Sequence, residues 1–385
     1  MALCQFYMMM NQTIGMKILT PLCRKALLQL LQSALWEQTP QSEVFASMTA
    51  QDWEQVLLAS RQQTVKALVC QGLTMLPEDL QPSDFLLIRW MAELGQVEKQ
   101  SHQMNEALLS LITFLEGNGL RPVVLKGQGL ARLYRFPLLR ECGDIDLYFP
   151  EPRQQQEAHR CLADRGIHPQ HKPDGSWLYS WQGVPVEHHP HLTDLANPYA
   201  QDCLQELEQQ YPCVQVPLGM GTDAQIRVPS PMLSLLLQTI HILHHAIGWG
   251  IGLRQMVDMA VSCQSFQGQI DAHAFREASS RLHLLRWNRL LHGFLAQSLA
   301  LPQECLPYEE RLHSGLALEK RIWRDGNFGL NSSLRQSSSS HPWQGKCRTA
   351  WSMLSHSGLG WRYAPLETFF TALSLAKGQC SSHRG

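Results

Sequence analysis

The chain carries almost no net charge: 32 Lys and Arg face 33 Asp and Glu, a formal charge of −1 over 385 residues. Binding to nucleic acid in general rests on clustered Lys and Arg that displace counterions. That balance excludes a general nucleic-acid binder, while a local basic patch stays open. Paired cysteine spacing is missing too. The 11 cysteines are odd in number and scattered, with no Cys-x-x-Cys pair, which argues against a disulfide framework or a zinc ribbon and for reduced thiols in a cytoplasm. No apolar run approaches the ~18 residues that a membrane span needs. The start, MALCQFYMMMNQTIGMKIL, has no basic opening, and Asn11, Gln12 and Thr13 break its apolar stretch. It does not read as a signal peptide, and Met16 is an alternative start. What remains is 44% hydrophobic and 17% charged, the make-up of a globular protein long enough for two or three domains.

The most informative stretch runs from Leu120 to Phe149. Pro122 to Leu125 is a short β-branched run stopped by Lys126-Gly127, after which Leu130, Leu133 and Tyr134 recur at helical spacing. A strand therefore feeds a helix through a glycine turn in which Gly127 and Gly129 flank Gln128. A second strand, Asp144 to Phe149, opens with acid, apolar, acid. Alternation puts Asp144 and Asp146 on one face, about 7 Å apart along the backbone. Like charges that close repel unless a cation lies between them, and a hard divalent ion with oxygen ligands is the usual resolution. An Asp-x-Asp at a strand edge facing water is the commoner case, but the upstream turn changes the balance. Backbone N–H groups at such a turn are where a phosphate binds. A phosphate cradle about fifteen residues before paired aspartates is the layout that metal-dependent phosphoryl or nucleotidyl transfer requires.

This arrangement, Leu-Lys-Gly, a helix with Tyr134 and Pro137, then Arg140 followed by Asp-Ile-Asp-Leu, resembles the uncharacterised nucleotidyltransferase family of the polymerase-β-like superfamily over roughly residues 105–260. The resemblance implies an α/β (α+β) fold, a small mixed-sheet nucleotidyltransferase core between N- and C-terminal helical domains. It implies Asp144, Asp146 and Glu187 as catalytic and metal-binding carboxylates, Glu187 being the match to a later strand carrying acid then histidine, here Val186-Glu187-His188. It implies Mg²⁺, two ions, bridging an NTP, with ATP as the expected nucleotide, whose outer phosphates meet Lys126, Gly127, Gln128 and Gly129. Arg140 and Arg254 are further nucleotide-binding candidates, Arg140 serving either phosphate or the loop before the strand. The superfamily's turn has serine after glycine, whereas this chain has Gln128, so Lys126 would supply a charge where a hydroxyl is missing.

Around that core the pattern is helical. Apolar periodicity from Pro21 to about Gln100 divides at Pro40, Pro77 and Pro82 into about four helices, read as a packing or lid domain, and a long helix from Glu93 to Glu116 leads into the first core strand. After Phe149 come a helix from about Arg153 to Arg165 and a hairpin of Trp177–Trp181 and Val184–His189 turning at Gln182-Gly183. Ser230-Pro231 is an N-cap and N1 pair for the next helix. On that helix His241 and His245 are four apart, but Ile242 stands where a zinc protease needs glutamate. His188, His189 and His191 are interrupted by Pro190 and lack a completing ligand cluster, so zinc is rejected there too. Arg254 and Asp258 can pair at i,i+4. The expected divisions are 1–104 helical, 105–228 transferase core, 229–330 helical, and 331–385 a serine-rich loop and partly disordered tail from Lys377.

The function expected from these residues is Mg-dependent transfer of an NMP group from an NTP to a hydroxyl acceptor, small molecule or protein, without a membrane. Two other classes stay open: a nucleotide-binding regulatory or catalytically silent module, and a metal-dependent phosphotransferase releasing ADP rather than pyrophosphate.

Overall fold

The computed structural model describes residues 19–326, apart from 173, 220 and 249, and residues 358–381. The chain start and the serine-rich stretch at 332–340 lie outside the described residues. The first helices form where the sequence caps them. In α1 (Pro21–Trp36) the Thr20 hydroxyl accepts from the Cys23 amide at 3.2 Å, and after α2 (Ser42–Phe45) comes α3 (Ala50–Gln62), opened by a Thr49–Asp52 capping box. Then follow α4 (Lys66–Leu73) and a 34-residue helix, α5 (Asp84–Gly117). The sequence reading started this last helix near Glu93. It begins nine residues earlier because no proline interrupts the chain between Pro82 and Pro122, and Gly95 stands in open space where its missing side chain costs no packing.

The central region is a five-stranded sheet in the order β1-β2-β5-β4-β3. β1 (Val123–Val124) runs antiparallel to β2 (Ile145–Tyr148), β2 runs parallel to β5 (Val184–His189), and β5 is antiparallel to β4 (Trp177–Trp181), which carries the edge strand β3 (Gln170–His171). Gln182 and Gly183 both have positive φ, 51° and 82°, as the two-residue turn that matches strand twist demands. Between β1 and β2 the expected helix is a single turn, α6 (Gln128–Ala131). It stops before Leu133 and Tyr134, and a 3-10 turn at Pro137–Leu139 takes over, since Pro137 has no amide to continue a ladder. Helix α7 (Pro152–Ala163) joins β2 to the hairpin. Not foreseen were α8 (Pro198–Gln210) and the hairpin of β6 (Val214–Gly219) and β7 (Thr222–Val228), which packs against β1.

The C-terminal part contains α9 (Pro231–Ile247), α10 (Leu253–Ser265), α11 (Ala272–Arg281), α12 (Leu285–Ser298) and α13 (Leu316–Asp325), then α14 (Gly358–Tyr363) and α15 (Pro365–Ser381). Ser230 holds the N-cap position of α9, yet its hydroxyl donates to the Tyr211 carbonyl at 3.3 Å and makes no capping bond. The tail expected to be disordered from Lys377 is helical through Ser381. Helices from the two ends of the chain flank the sheet and share one apolar core, including Leu27, Trp53, Leu68, Leu243, Trp287 and Phe294. Trp36 donates to the Leu299 carbonyl at 2.6 Å and Gln32 to that of Ser298 at 3.1 Å across this contact. A second core, with Leu111, Val124, Ile145, Leu147, Leu162 and Val186, lies under the sheet against α5 and α7.

One buried ion pair ties the two cores together. Asp258 of α10 accepts from Arg140 Nε and Nη2, both at 2.8 Å, and from the Tyr134 hydroxyl at 2.6 Å. The sequence reading had paired Asp258 with Arg254. Instead, Arg254 Nη1 donates to the Glu141 carbonyl at 3.2 Å, because the loop before β2 supplies Arg140 as a planar fork matching the carboxylate. Against the desolvation that burial imposes, Arg140 and Tyr134 hold Asp258 below the ordinary carboxylate range. Removing one partner of such a pair costs about 3–5 kcal/mol, while replacing both with apolar groups is often neutral. Urea unfolding should therefore show a large loss for Arg140→Met and a much smaller one for Arg140→Met combined with Asp258→Met. Equal losses would mean that the pair does not carry the contact.

Candidate active site

Asp146 and Glu187 lie directly opposite each other in the parallel β2–β5 pair. Alternation then turns Ile145, Leu147 and His188 toward the interior and leaves Asp146, Glu187 and His189 on the other face. Ligand atoms of these last three side chains all lie within 4.8 Å of one another, the one such group of potential metal ligands among the described residues. His189 Nε2 is 2.6 Å from Asp146 Oδ1, and Lys126 Nζ is 3.9 Å from the same oxygen. Lys172 Nζ is 2.7 Å from Glu187 Oε2. Burial alone would raise the Asp146 pKa, but Lys126 and His189 hold it far below the ordinary carboxylate range, so Asp146 remains an anion.

Asp144 stands one residue before β2 and outside that ligand group. Its surface is exposed, yet the protein around it is close enough that desolvation, and next the charge of Asp146, raises its pKa. His189 was passed over in the sequence because the histidines were weighed as a zinc cluster. The signal was the i,i+2 spacing of Glu187 and His189, the same alternation that was used for the aspartates. His188 faces away: it is fully buried, 2.9 Å from the Tyr179 hydroxyl and 3.2 Å from His159.

The glycine turn has two separate structural demands. Gly127 adopts φ 54°, ψ −120°, a region that side chains with a Cβ avoid. Gly129 sits where a Cβ would come within 3.2 Å of the Val124 carbonyl, so its smallness seats α6 on β1. The Gly129 amide donates to the Lys126 carbonyl at 2.9 Å and the Leu130 amide to that of Gly127 at 3.2 Å. Of this turn, the amides of Gly127 and Gln128 make no backbone hydrogen bond among the described residues. The Gln128 side chain is buried.

A cleft of ≈ 300 Å³ opens between this acidic face and α9, lined by Lys126, Glu187 and His189 on one side and by His241, His244 and Arg254 on the other. Arg140 also borders it, but its guanidinium is engaged by Asp258 and by Cys142 Sγ at 2.8 Å, which favours the anchoring role of the two left open by the sequence. Burial, with Lys126 nearby, pushes the His241 pKa well down and that of His245 to about 4. Both imidazoles are neutral at pH 7, so Lys126 on one side and Arg254 on the other bring positive charge to the cleft.

A histidine depressed from about 6.5 in the unfolded chain makes the unfolded state bind more protons in between, so its contribution to stability falls as pH drops from about 6.5 to about 4. Glu141 and Glu208, both pushed up to about 7 by burial, act in the opposite sense. The informative quantity is therefore a difference. The stability gap between wild type and His245→Gln, from urea midpoints, should narrow as pH falls through that window, and a constant gap would remove His245 as the titrating group.

No helix among the described residues is long and apolar enough to cross a membrane. Comparison with curated proteins gives no match, and comparison with solved structures gives none either. A family model described as an uncharacterised nucleotidyltransferase matches residues 49–300. That span is wider than the 105–260 suggested by the motifs, and it takes in α3 to α12, helices from both sides of the sheet together with the sheet itself. With well over half of its length matched, the chain belongs to the uncharacterised nucleotidyltransferase family.

Proposed function

We propose that the protein is a Mg²⁺-dependent nucleotidyltransferase that moves an NMP group from an NTP, ATP in our reading, to a hydroxyl of a small molecule or protein. The observation that carries this reading is the lateral pairing of Asp146 with Glu187, with Lys126 beside them at the mouth of a cleft. Two carboxylates suit a hard divalent ion, and His189 offers either a third ligand or a hydrogen bond that orients Asp146. Asp146 and Glu187 would hold the ion, with Asp144 at the strand entrance available for a second. When bound, two such ions stabilise the attacking and leaving oxygens of an in-line displacement.

The chain's own groups do the rest. Lys126 and Arg254 neutralise the outer phosphates, the Gly127 and Gln128 amides add donors, and Arg140 holds the loop that sets Asp144 and Asp146 in place. Glu187, fixed by Lys172, assists removal of the acceptor's proton. A second reading, a nucleotide-binding module without turnover, is favoured by the same Lys126, whose ammonium lies 3.9 Å from Asp146 and competes with a cation for that carboxylate. Release of pyrophosphate rather than ADP separates nucleotidyl from phosphoryl transfer.

Mg²⁺ with ATP should raise the melting temperature, since a ligand bound only to the folded state stabilises it by about 2.7 kcal/mol at a hundred times its Kd. Asp146→Asn should abolish most of that shift, and an unchanged shift would place the site elsewhere. Glu187→Gln should lower turnover by about 10²-fold while nucleotide still binds; intact turnover would free Glu187 of any role in the reaction.

Lys126→Met should weaken ATP binding by about 1.5–3 kcal/mol, the range for a hydrogen bond to a charged group and more than tenfold in Kd. AMP, which lacks the outer phosphates, should lose far less in the same calorimetric titration. Equal losses for both nucleotides would assign Lys126 to the fold.

A further inference from the structure

The part of the cleft away from Lys126 is walled by the segment Pro190–Asp194 and by His244 of α9. His244 and the end of the segment that follows this wall, Ala196-Asn197, are held by one carboxylate from outside the matched span. Glu367, near the start of α15, is 6% exposed and accepts three hydrogen bonds: from the Ala196 amide at 2.7 Å, the Asn197 amide at 3.1 Å and His244 Nε2 at 2.9 Å. Asn197 is itself the N-cap of α8, so the bond to its amide fixes the end of the wall where it enters a helix. The helix preceding α15 is pressed onto α9 as well. A Cβ on Gly360 of α14 would lie 2.4 Å from Thr368 Oγ1 and 2.9 Å from Ile247 Cγ1. The carboxylate is a stable anion, since His244 and the two amides outweigh the desolvation of burial and hold its pKa below the ordinary value.

From this geometry we infer that Glu367 is a positioning residue for the cleft, pinning the Pro190–Asn197 wall and fixing His244 as the Nε2–H tautomer, with Nδ1 left as the ring's acceptor. An ionised carboxylate cannot donate, so the 2.9 Å contact needs the proton on His244 Nε2, and that tautomer carries its lone pair on Nδ1. In the nucleotidyl-transfer reading, on which this consequence rests, Lys126 and Arg254 keep the leaving phosphates at their end. The acceptor molecule then belongs to the remaining part of the cleft, where His244 Nδ1 offers a hydrogen-bond acceptor to a second polar group of that molecule and Glu187 is left for the attacking hydroxyl.

Two variants of the full chain, studied without nucleotide or metal, test both functions of Glu367. His244 Nε2 and the Ala196 amide meet Oε1 while the Asn197 amide meets Oε2, so a glutamine keeps an acceptor at only one of the two places. In wild type the His244 ring ¹⁵N shifts should report the Nε2–H tautomer, and Glu367→Gln should either speed exchange of the Asn197 amide alone or speed exchange of the Ala196 amide together with a change in the His244 shifts. Glu367→Ala should speed exchange of both amides more than tenfold. A wild-type His244 in the Nδ1–H form, both amides still protected in Glu367→Gln, or unchanged amide protection in Glu367→Ala would overturn the inference. A thermal shift with Mg²⁺ and ATP on the same samples reports separately on the nucleotide reading, so failure of one is not mistaken for failure of the other.

Discussion

The register between β2 and β5 is the constraint on which the site depends. Because the two strands run parallel with Asp146 opposite Glu187, acids 41 residues apart in sequence become neighbours, and alternation carries His189 to the same side. A slip of one residue would turn the whole set to the other face, burying the carboxylates and exposing Ile145, Leu147 and Val186. These three are 2%, 0% and 0% exposed, so the hydrophobic core beneath the sheet enforces the register above it. The chemistry of one face is thus fixed by the packing of the other.

Two charged contacts then connect that sheet to the helices. The Arg140–Asp258 pair, joined by Tyr134, anchors the loop before β2 to α10, and Glu367 anchors the segment after β5 to α9. Both are buried carboxylates kept ionised by nearby donors. They flank the cleft from its two ends in the chain, which makes the spacing between sheet and helices a matter of matched charges as well as of apolar packing. Within the cleft Lys126 plays a double part: it lowers the Asp146 pKa and, together with burial, keeps His241 and His245 neutral.

Much of this was legible in the residues themselves. The Asp-x-Asp strand, the Gln182-Gly183 hairpin and the Lys126-Gly127 turn all have local causes: period-two alternation, positive φ at both turn positions, and a glycine conformation closed to other residues. Where the reading went astray, a distant partner had decided. Arg254 is four residues from Asp258, an attractive local pair, but Arg140 reaches the same carboxylate from across the interface with a bidentate fork. The helix predicted through Tyr134 ends after one turn because Tyr134 is drawn to Asp258 and Pro137 starts another element. The N-terminal helices, expected as a packing or lid domain, share a core with the C-terminal ones, a partner left open because amphipathic periodicity gives the apolar face of a helix without naming what covers it.

By itself, then, the sequence determined the strand–turn–strand unit, the face that carries Asp146, the hairpin that carries Glu187 and the membership of a mixed α/β class. Each follows from interactions within a few residues of the chain. Tertiary structure alone decided that Asp146 meets Glu187 and His189 while Asp144 stands outside the group, and that Arg140 is an anchor of the interface. It also decided that Glu367 meets His244 and the amides of Ala196 and Asn197. Pairing across a parallel sheet and between packed helices depends on chain segments far apart in sequence, and no local pattern encodes which of several carboxylates a given cation will find.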